Sequence, residues 1–303
     1  MEVEFKPEER CLPEGLLERV LAALGFSRRP EPTIEALRGL YGAWCQNVPF
    51  DNIRKLIYLR AGHGGPLPGS TATDFLEAWL RFGTGGTCWA GAGAFQSLLA
   101  ALGFDAVRGI GTMLVAPDLP PNHGTVVVNL GAERYLVDCS ILHGEPLPLR
   151  ATSETRIAHP AWGVQCSFRE AHWHVRWRPL NRLDGFECRL ERFGASNDEF
   201  QAFHERTRGW GPFNYQLTAR INRGDRAVGV AFGTAVSLEA TGLAIQRPLS
   251  SIERKRVLIE EIGISQELVR ILPEDVPTPP PPGSRTAAAS GGQPPLGRPI
   301  AEV

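Results

Sequence analysis

The chain has 303 residues, 43% of them apolar and 21% charged, and its 32 basic side chains face 33 acidic ones for a net charge of −1. That balance belongs to a globular chain with room for a sizeable core, and it excludes a fully disordered or collagen-like one. It also argues against a dedicated nucleic-acid binder, which carries a basic excess. No apolar run reaches the roughly 18–20 residues of a membrane span. The polar start, MEVEFKPEER, has no signal-peptide core. The expectation is a soluble, cytoplasmic protein with neither a membrane nor a nucleic acid as partner.

Six cysteines stand at 11, 45, 88, 139, 166 and 188, with no CxxC or CxxxC pair among them, so neither a zinc knuckle nor a thioredoxin-type motif is present. Without a signal peptide, reduced thiols are expected.

In chain order, the first eighty residues read as helical. Leu16, Leu17, Val20, Leu21 and Leu24 recur at helical spacing and stop at Gly25. Thr33 caps a second helix with Ile34, Leu37, Leu40, Tyr41 and Trp44 on its apolar face, and Pro49 stops helix beyond it. After a Gly/Pro loop at 61–69, Phe75, Leu76, Trp79, Leu80 and Phe82 mark a third helix. The glycine-rich turn Gly83-Thr84-Gly85-Gly86-Thr87 then leads into Cys88-Trp89, and Phe95, Leu98, Leu99 and Leu102 mark a helix ending at Gly103. This spacing places Cys88 at a helix N-terminus.

The pattern then changes to strands: 106–115, 124–130, 134–138, 172–178, 186–190, 215–222 and 226–238 are β-rich. A last helix is expected from Ser250, in a capping box with Glu253, to Ile262-Gly263. The segment 277–303 holds eight of the 25 prolines and reads as a disordered tail.

A thiol at a helix N-terminus gains thiolate character from the terminal N–H groups and the helix dipole. A nucleophilic cysteine also needs a base, and the base a partner that orients it. His123 stands just before the strand at 124–130, and Gly131-Ala132 reads as a two-residue hairpin loop to the next strand. In that register Asp138 pairs with Thr125. His123 and Asp138 are then diagonal neighbours on one sheet face, about 7–8 Å apart at the backbone, whereas a slip of one residue puts them on opposite faces. Asp138 closes the apolar strand Tyr135-Leu136-Val137, where an unpaired charge is costly. Singly, each of the three has a plain structural explanation: Cys88 a small buried apolar residue, His123 a strand-end polar group, Asp138 a strand cap. Their order and the hairpin favour the joint reading, a Cys88–His123–Asp138 triad. His143 follows closely enough to line the same cleft. His172 and His174 share a strand face, but no third ligand stands at metal spacing and Trp173 and Trp177 suggest a packed strand, so no metal is expected. The 83–86 turn lacks the lysine and serine of a phosphate loop.

These residues resemble the arylamine N-acetyltransferase family through most of 12–276. Thr33-Ile34-Glu35-Ala36-Leu37 and Val48-Pro49-Phe50-Asp51-Asn52 are similar to its first helix and Pro-Phe-Glu-Asn motif. Gly85-Gly86-Thr87-Cys88-Trp89 resembles its nucleophile loop, while Asn122-His123 and Tyr135-Leu136-Val137-Asp138 resemble its His and Asp motifs. Pro212-Phe213, Arg220 and 259–264 resemble parts of its C-terminal domain. The resemblance implies an α+β fold with a cysteine-proteinase-type core. Its parts are a helical bundle at 1–104, a β-barrel-like domain at 105–199, an α/β lid at 200–276, and the tail. It implies an N-acyltransferase working by ping-pong: Cys88 takes the acyl group from a thioester, His123 relays the proton, and Asp138 holds the imidazolium. The Cys88 and Trp89 N–H groups are the candidate oxyanion donors, and Phe50, Asn122 and Ile141 the candidate substrate-binding residues. The co-substrate is an acyl-CoA or a phosphopantetheine thioester on a carrier protein, with no tightly bound cofactor, and a small-molecule amine accepts the acyl group.

Thr84 stands where the family has Arg, Ala90 and Ala92 where it has a polar pair, and Ser140-Ile141-Leu142 where it has Gly-Phe-Gly. These departures lie in the loops that shape the donor and acceptor sites. They motivate a biosynthetic amide synthase or carrier-dependent acyltransferase as the nearest alternative. A transglutaminase- or protease-like thiol enzyme shares the residue order, and a non-catalytic binding protein would keep only the fold.

Overall fold

The computed structural model describes residues 12–115, 120–280 and 282. Cys11 and most of the expected disordered tail (281 and 283–303 of 277–303) lie outside the described residues. Helices lead the chain: α1 (Glu14–Ala23), α2 (Ile34–Asn47), and, after the short strand β1 (Phe50–Asp51), α3 (Ile53–Arg60), α4 (Ala72–Phe82) and α5 (Cys88–Ala101). Thr33 and Thr71 cap α2 and α4, their side chains accepting from the N–H groups of Ala36 and Asp74. The apolar faces meet in one core around Tyr41, Trp44, Phe75 and Phe95, where Trp44 stacks on Phe75 with ring centroids 5.8 Å apart. α3 was not anticipated beyond Pro49.

The second layer is an eight-stranded antiparallel sheet of β2 (Asp105–Met113), β3 (His123–Leu130), β4 (Glu133–Leu136), β5 (Leu147–Pro148), β6 (Thr155–Ile157), β7 (Val164–Arg169), β8 (His172–Trp177) and β9 (Phe186–Phe193). Its order is β5-β4-β3-β2-β9-β8-β7-β6. The two ends of that row approach each other, with Thr155 Oγ1 donating to the Pro148 carbonyl at 2.5 Å, so the sheet is nearly closed into a barrel. Val127, Leu136, Leu147, Val175 and Leu190 fill its interior. The β3–β4 hairpin has the register its turn predicts: Val127 faces Leu136, Val128 faces Tyr135, and the Val137 N–H continues the ladder to the Val126 carbonyl at 3.0 Å.

The chain then forms α6 (Asn197–Arg206) and the strands β10 (Thr218–Arg223), β11 (Arg226–Ala231), β12 (Thr234–Leu238) and β13 (Ala244–Pro248). These four make a second sheet with β1, ordered β1-β10-β11-β12-β13. The continuous β signal at 226–238 is two strands, because the chain reverses at Phe232-Gly233, both at positive φ (48° and 82°). The expected last helix begins at its Ser250 cap as α7 (Ser251–Lys255) and continues in wider π-type turns over Arg256–Ile262. Gly263, at φ 89°, ends it, but α8 (Gln266–Ile271) follows, so it is not the last. Ile53 and Leu56 of α3 pack into this C-terminal core with Ile221, Val228 and Val257. No helix among the described residues is long and apolar enough to cross a membrane.

Candidate active site

Cys88 is the first residue of α5, and the loop before it is clamped on both sides. Gly83 closes α4 in the left-handed region at φ 69°. A Cβ on Gly85 would lie 1.8 Å from the Pro49 carbonyl oxygen, so only glycine admits β1 this close. Asp51 of β1 reaches across. Its carboxylate accepts from the Gly85 N–H at 2.6 Å, the Ile53 N–H at 2.9 Å and the Thr84 hydroxyl at 3.0 Å, while its own N–H donates to the Gly86 carbonyl at 3.1 Å. Asp51 is fully buried, and burial outweighs those donors to raise its pKa above the ordinary carboxylate value. Thr84, which stands where the family has Arg, thus bonds directly to Asp51 of the motif at 49–52.

On the far side of the thiol, β3 begins at His123. Its Nε2 lies 2.7 Å from Asp138 Oδ2, with both side chains buried. The other aspartate oxygen, Oδ1, accepts from the N–H groups of Ser140 and Ile141, both at 2.9 Å. The Asp138 carbonyl accepts from the Tyr41 hydroxyl at 2.7 Å. Burial alone would raise the Asp138 pKa, but the His123 charge and these donors overcome it and hold the carboxyl well below the usual range. Burial likewise opposes a charged His123, yet Asp138 and the Cys88 thiol outweigh it and raise its pKa above the ordinary imidazole value. Because Nε2 is engaged by Asp138, Nδ1 is the ring nitrogen left for Cys88. The Cys88 sulfur, in a residue only 8% exposed, also lies 4.0 Å from the Asn122 carbonyl. The first-turn N–H groups of Cys88 and Trp89 have no acceptor within the helix.

The sequence-derived residues divide into those at this centre and those behind it. Cys88, His123, Asp138 and the Trp89 backbone converge. Trp89's ring turns away, stacked on Phe203 at 4.9 Å and edge-on to Phe200. Phe50 is buried beside the loop and meets Phe213 edge-on at 5.3 Å. Asn122 is exposed, with its side-chain oxygen accepting from the Met113 N–H at 2.8 Å. Ile141's side chain lies in the barrel core, and its contribution to the centre is the N–H on Asp138. His143 does not line the cleft. It is fully buried behind the aspartate, its Nδ1 against the Glu145 carbonyl at 2.7 Å and its ring against Tyr41. His172 and His174 lie near Glu191 and Glu187 respectively, and no group of three His, Cys, Asp or Glu side chains among the described residues is placed to hold a metal. The sequence reading missed the roles of Asp51 and Tyr41. The signal for Asp51 was a carboxylate directly after Phe50 within the motif at 49–52.

Comparison with known proteins bears on the fold that surrounds these residues. Residues 33–172 match the N-acetyltransferase family model, a stretch that holds Cys88, His123 and Asp138. No curated protein matches the chain. Among solved structures, the arylamine N-acetyltransferase from Mycobacterium abscessus is similar over 84% of this chain and 93% of its own, with 22% identity and a TM-score of 0.69. That from Nocardia farcinica covers 84% of this chain and 92% of its own, with 21% identity and a TM-score of 0.70. The Mycobacterium marinum enzyme in complex with CoA covers 85% and 95%, with 19% identity and a TM-score of 0.68. At such identities these structures establish the shared fold. The chain therefore has the arylamine N-acetyltransferase fold, and over residues 33–172, which hold Cys88, His123 and Asp138, it is similar to the N-acetyltransferase family.

Proposed function

We propose that the protein transfers an acyl group from CoA to a small-molecule amine through an acyl-enzyme on Cys88. The observation that carries this reading is the buried His123, whose Nε2 is bonded to Asp138 and whose pKa is raised by Asp138 and by the Cys88 thiol. In the first half-reaction the Cys88 thiolate attacks the thioester carbonyl carbon, the carbon–sulfur bond to CoA breaks, and the imidazolium gives its proton to the departing thiolate. In the second, the amine attacks the acyl-cysteine, His123 accepts the amine's proton, and the Cys88 thiolate leaves. Asp138 keeps the imidazole in the tautomer and orientation both steps need. The N–H groups of Cys88 and Trp89 are the oxyanion donors, aimed where negative charge develops. Phe50 and Asn122 border the substrate, and Ile141 supports it through Asp138.

The CoA complex of the M. marinum relative supports CoA as donor. A carrier-bound pantetheine donor, the alternative raised by the altered loops, would use the same chemistry. We retain the boundaries at 104, 199 and 276 as working divisions and a cytoplasmic location as part of this reading. Initial rates measured against both substrates should give parallel double-reciprocal lines, as a ping-pong sequence demands. Lines that intersect to the left of the axis would remove the acyl-enzyme from the pathway.

A further inference from the structure

α5 opens Cys88-Trp89-Ala90-Gly91-Ala92-Gly93-Ala94-Phe95, so between the nucleophile and Phe95 only Trp89 has a side chain larger than a methyl group. Gly91 and Gly93 each weaken the helix relative to alanine. Thr87, the N-cap residue, makes no side-chain capping bond, so the first turn is not pinned locally either. The bonds from Asp51 hold the preceding loop and end at Gly86. The one large anchor at this end of the helix is the Trp89 indole, which is 2% exposed.

The indole stands in a slot built by two other elements. One wall is β3: a Cβ on Gly124, the residue after His123, would lie 2.6 Å from Trp89 Cε3 and 3.2 Å from Trp89 Cα, so glycine is what lets the strand come this near. Two more walls come from α6. Phe203 stacks on the indole with centroids 4.9 Å apart and planes 8° from parallel, and Phe200 meets it edge-on at 4.9 Å and 78°. Arg206 sits over Phe203, its guanidinium carbon 4.9 Å from the ring centroid. α6 is itself tied to the 67–70 loop. The Leu67 N–H donates to Glu205 at 3.0 Å, Gln201 Nε2 donates to the Ser70 carbonyl at 3.0 Å, and His204 Nε2 bonds to the Pro68 carbonyl at 3.1 Å. That loop leans back on α5, since a Cβ on Gly69 would lie 2.6 Å from Ala90 Cβ.

We propose that Phe203 and Phe200 are positioning residues for acyl transfer: by holding the indole they aim the Trp89 N–H at the oxygen of the reacting acyl group. The inference rests on the acyl-cysteine reading above, in which this N–H is an oxyanion donor. Trp89 is the second residue of α5, so its N–H has no acceptor within the helix and no intrahelical bond fixes its direction. Its side chain does that instead. A donor stabilises the oxyanion only when it sits about 2.7–3.1 Å from where the charge develops, so a small tilt of the first turn forfeits much of the effect.

The test compares the rate at which acetyl-CoA acylates Cys88 with the rate at which iodoacetamide alkylates it, in wild type, Phe203→Ala and Phe203→Tyr, with the adducts mapped to Cys88 by mass. Acylation passes through an oxyanion, whereas alkylation is a displacement at saturated carbon that forms none. Phe203→Ala should lower acylation by roughly tenfold or more, short of the 10²–10³-fold scale of losing an oxyanion donor outright, and leave alkylation within about threefold. Phe203→Tyr keeps the stacked ring and should keep both rates. Wild-type acylation in Phe203→Ala overturns the inference while leaving the acyl-enzyme intact. An equal fall in both rates also overturns it, because general loosening of the site would do the same. So does loss of acylation in Phe203→Tyr. A wild type that is alkylated but takes no acyl group overturns the inference and the reading it rests on together. Should the alanine variant not fold, Phe203→Leu, which keeps bulk without the flat ring, decides by the same two rates: acylation should fall while alkylation holds, and any other pattern counts against the clamp.

Discussion

At the scale of single residues, Asp138 has the most to lose. It is buried, and both oxygens are committed, one to His123 and the other to two backbone N–H groups. Asparagine at this position can keep its oxygen on Ser140 and Ile141, but it then presents an amide N–H to His123 Nε2. That forces the proton onto Nδ1, facing Cys88, where an acceptor is needed. Asp138→Asn should therefore lower acyl transfer by about 10³–10⁴-fold, the scale seen when the orienting carboxylate of a triad is neutralised. Turnover within tenfold of wild type would take Asp138 out of the mechanism. The same residue shows what the sequence made legible. Asp138 closes an apolar strand whose two-residue turn fixes the register, and that alone places it beside His123. The hold on Trp89 was not legible, because the rings that make it arrive on α6, from residues 197–206.

At the scale of elements, the nucleophile loop is held by β1 rather than by its own turn. Asp51→Ala removes three hydrogen bonds to buried donors at Thr84, Gly85 and Ile53. It should cost about 3 kcal/mol or more of stability, since buried donors are left without acceptors. It should also slow alkylation of Cys88 by iodoacetamide. Thermal unfolding and the alkylation rate measured together check both, and an unchanged rate would show that β1 does not position the thiol. Helices with broad apolar faces were readable from periodicity, as α2 and α4 show. α6 was not, because of its ten residues only Phe200 and His204 are buried. One local signal was present and unused: Ser196 accepts from the Glu199 N–H in a capping arrangement. The β11–β12 reversal was hidden for a different reason. Phe232 adopts a left-handed conformation without being a turn-forming residue type.

At the scale of the whole molecule, the buried histidines His143 and His204 make stability depend on pH on the acid side. Burial holds His143 and His204 down at about 4. An unfolded chain binds these protons from about pH 6.5 downward, so between there and about 4 it takes up protons that the folded chain refuses. Their contribution is fully present above that window and is lost as pH falls through it. The melting temperature should decline from pH 7 to pH 4.5, and His143→Gln should make the slope shallower. A level profile would contradict the buried neutral state. The fold class, with its barrel-like sheet, followed from the family resemblance, and the strand orders did not. The interlocking of β1 and α3 with the C-terminal sheet did not, because strand pairing across the chain leaves no local pattern to read.

The central claim is an acyl group on Cys88 that an amine can remove. Intact mass after incubation with acetyl-CoA and with longer acyl-CoA donors, followed by a chase with an arylamine, tests it in one experiment. The account predicts a single acyl adduct that maps to Cys88, is absent in Cys88→Ala, and disappears on the chase as the amide forms. An adduct that persists in Cys88→Ala, or one that the amine leaves in place while amide still accumulates, would contradict it.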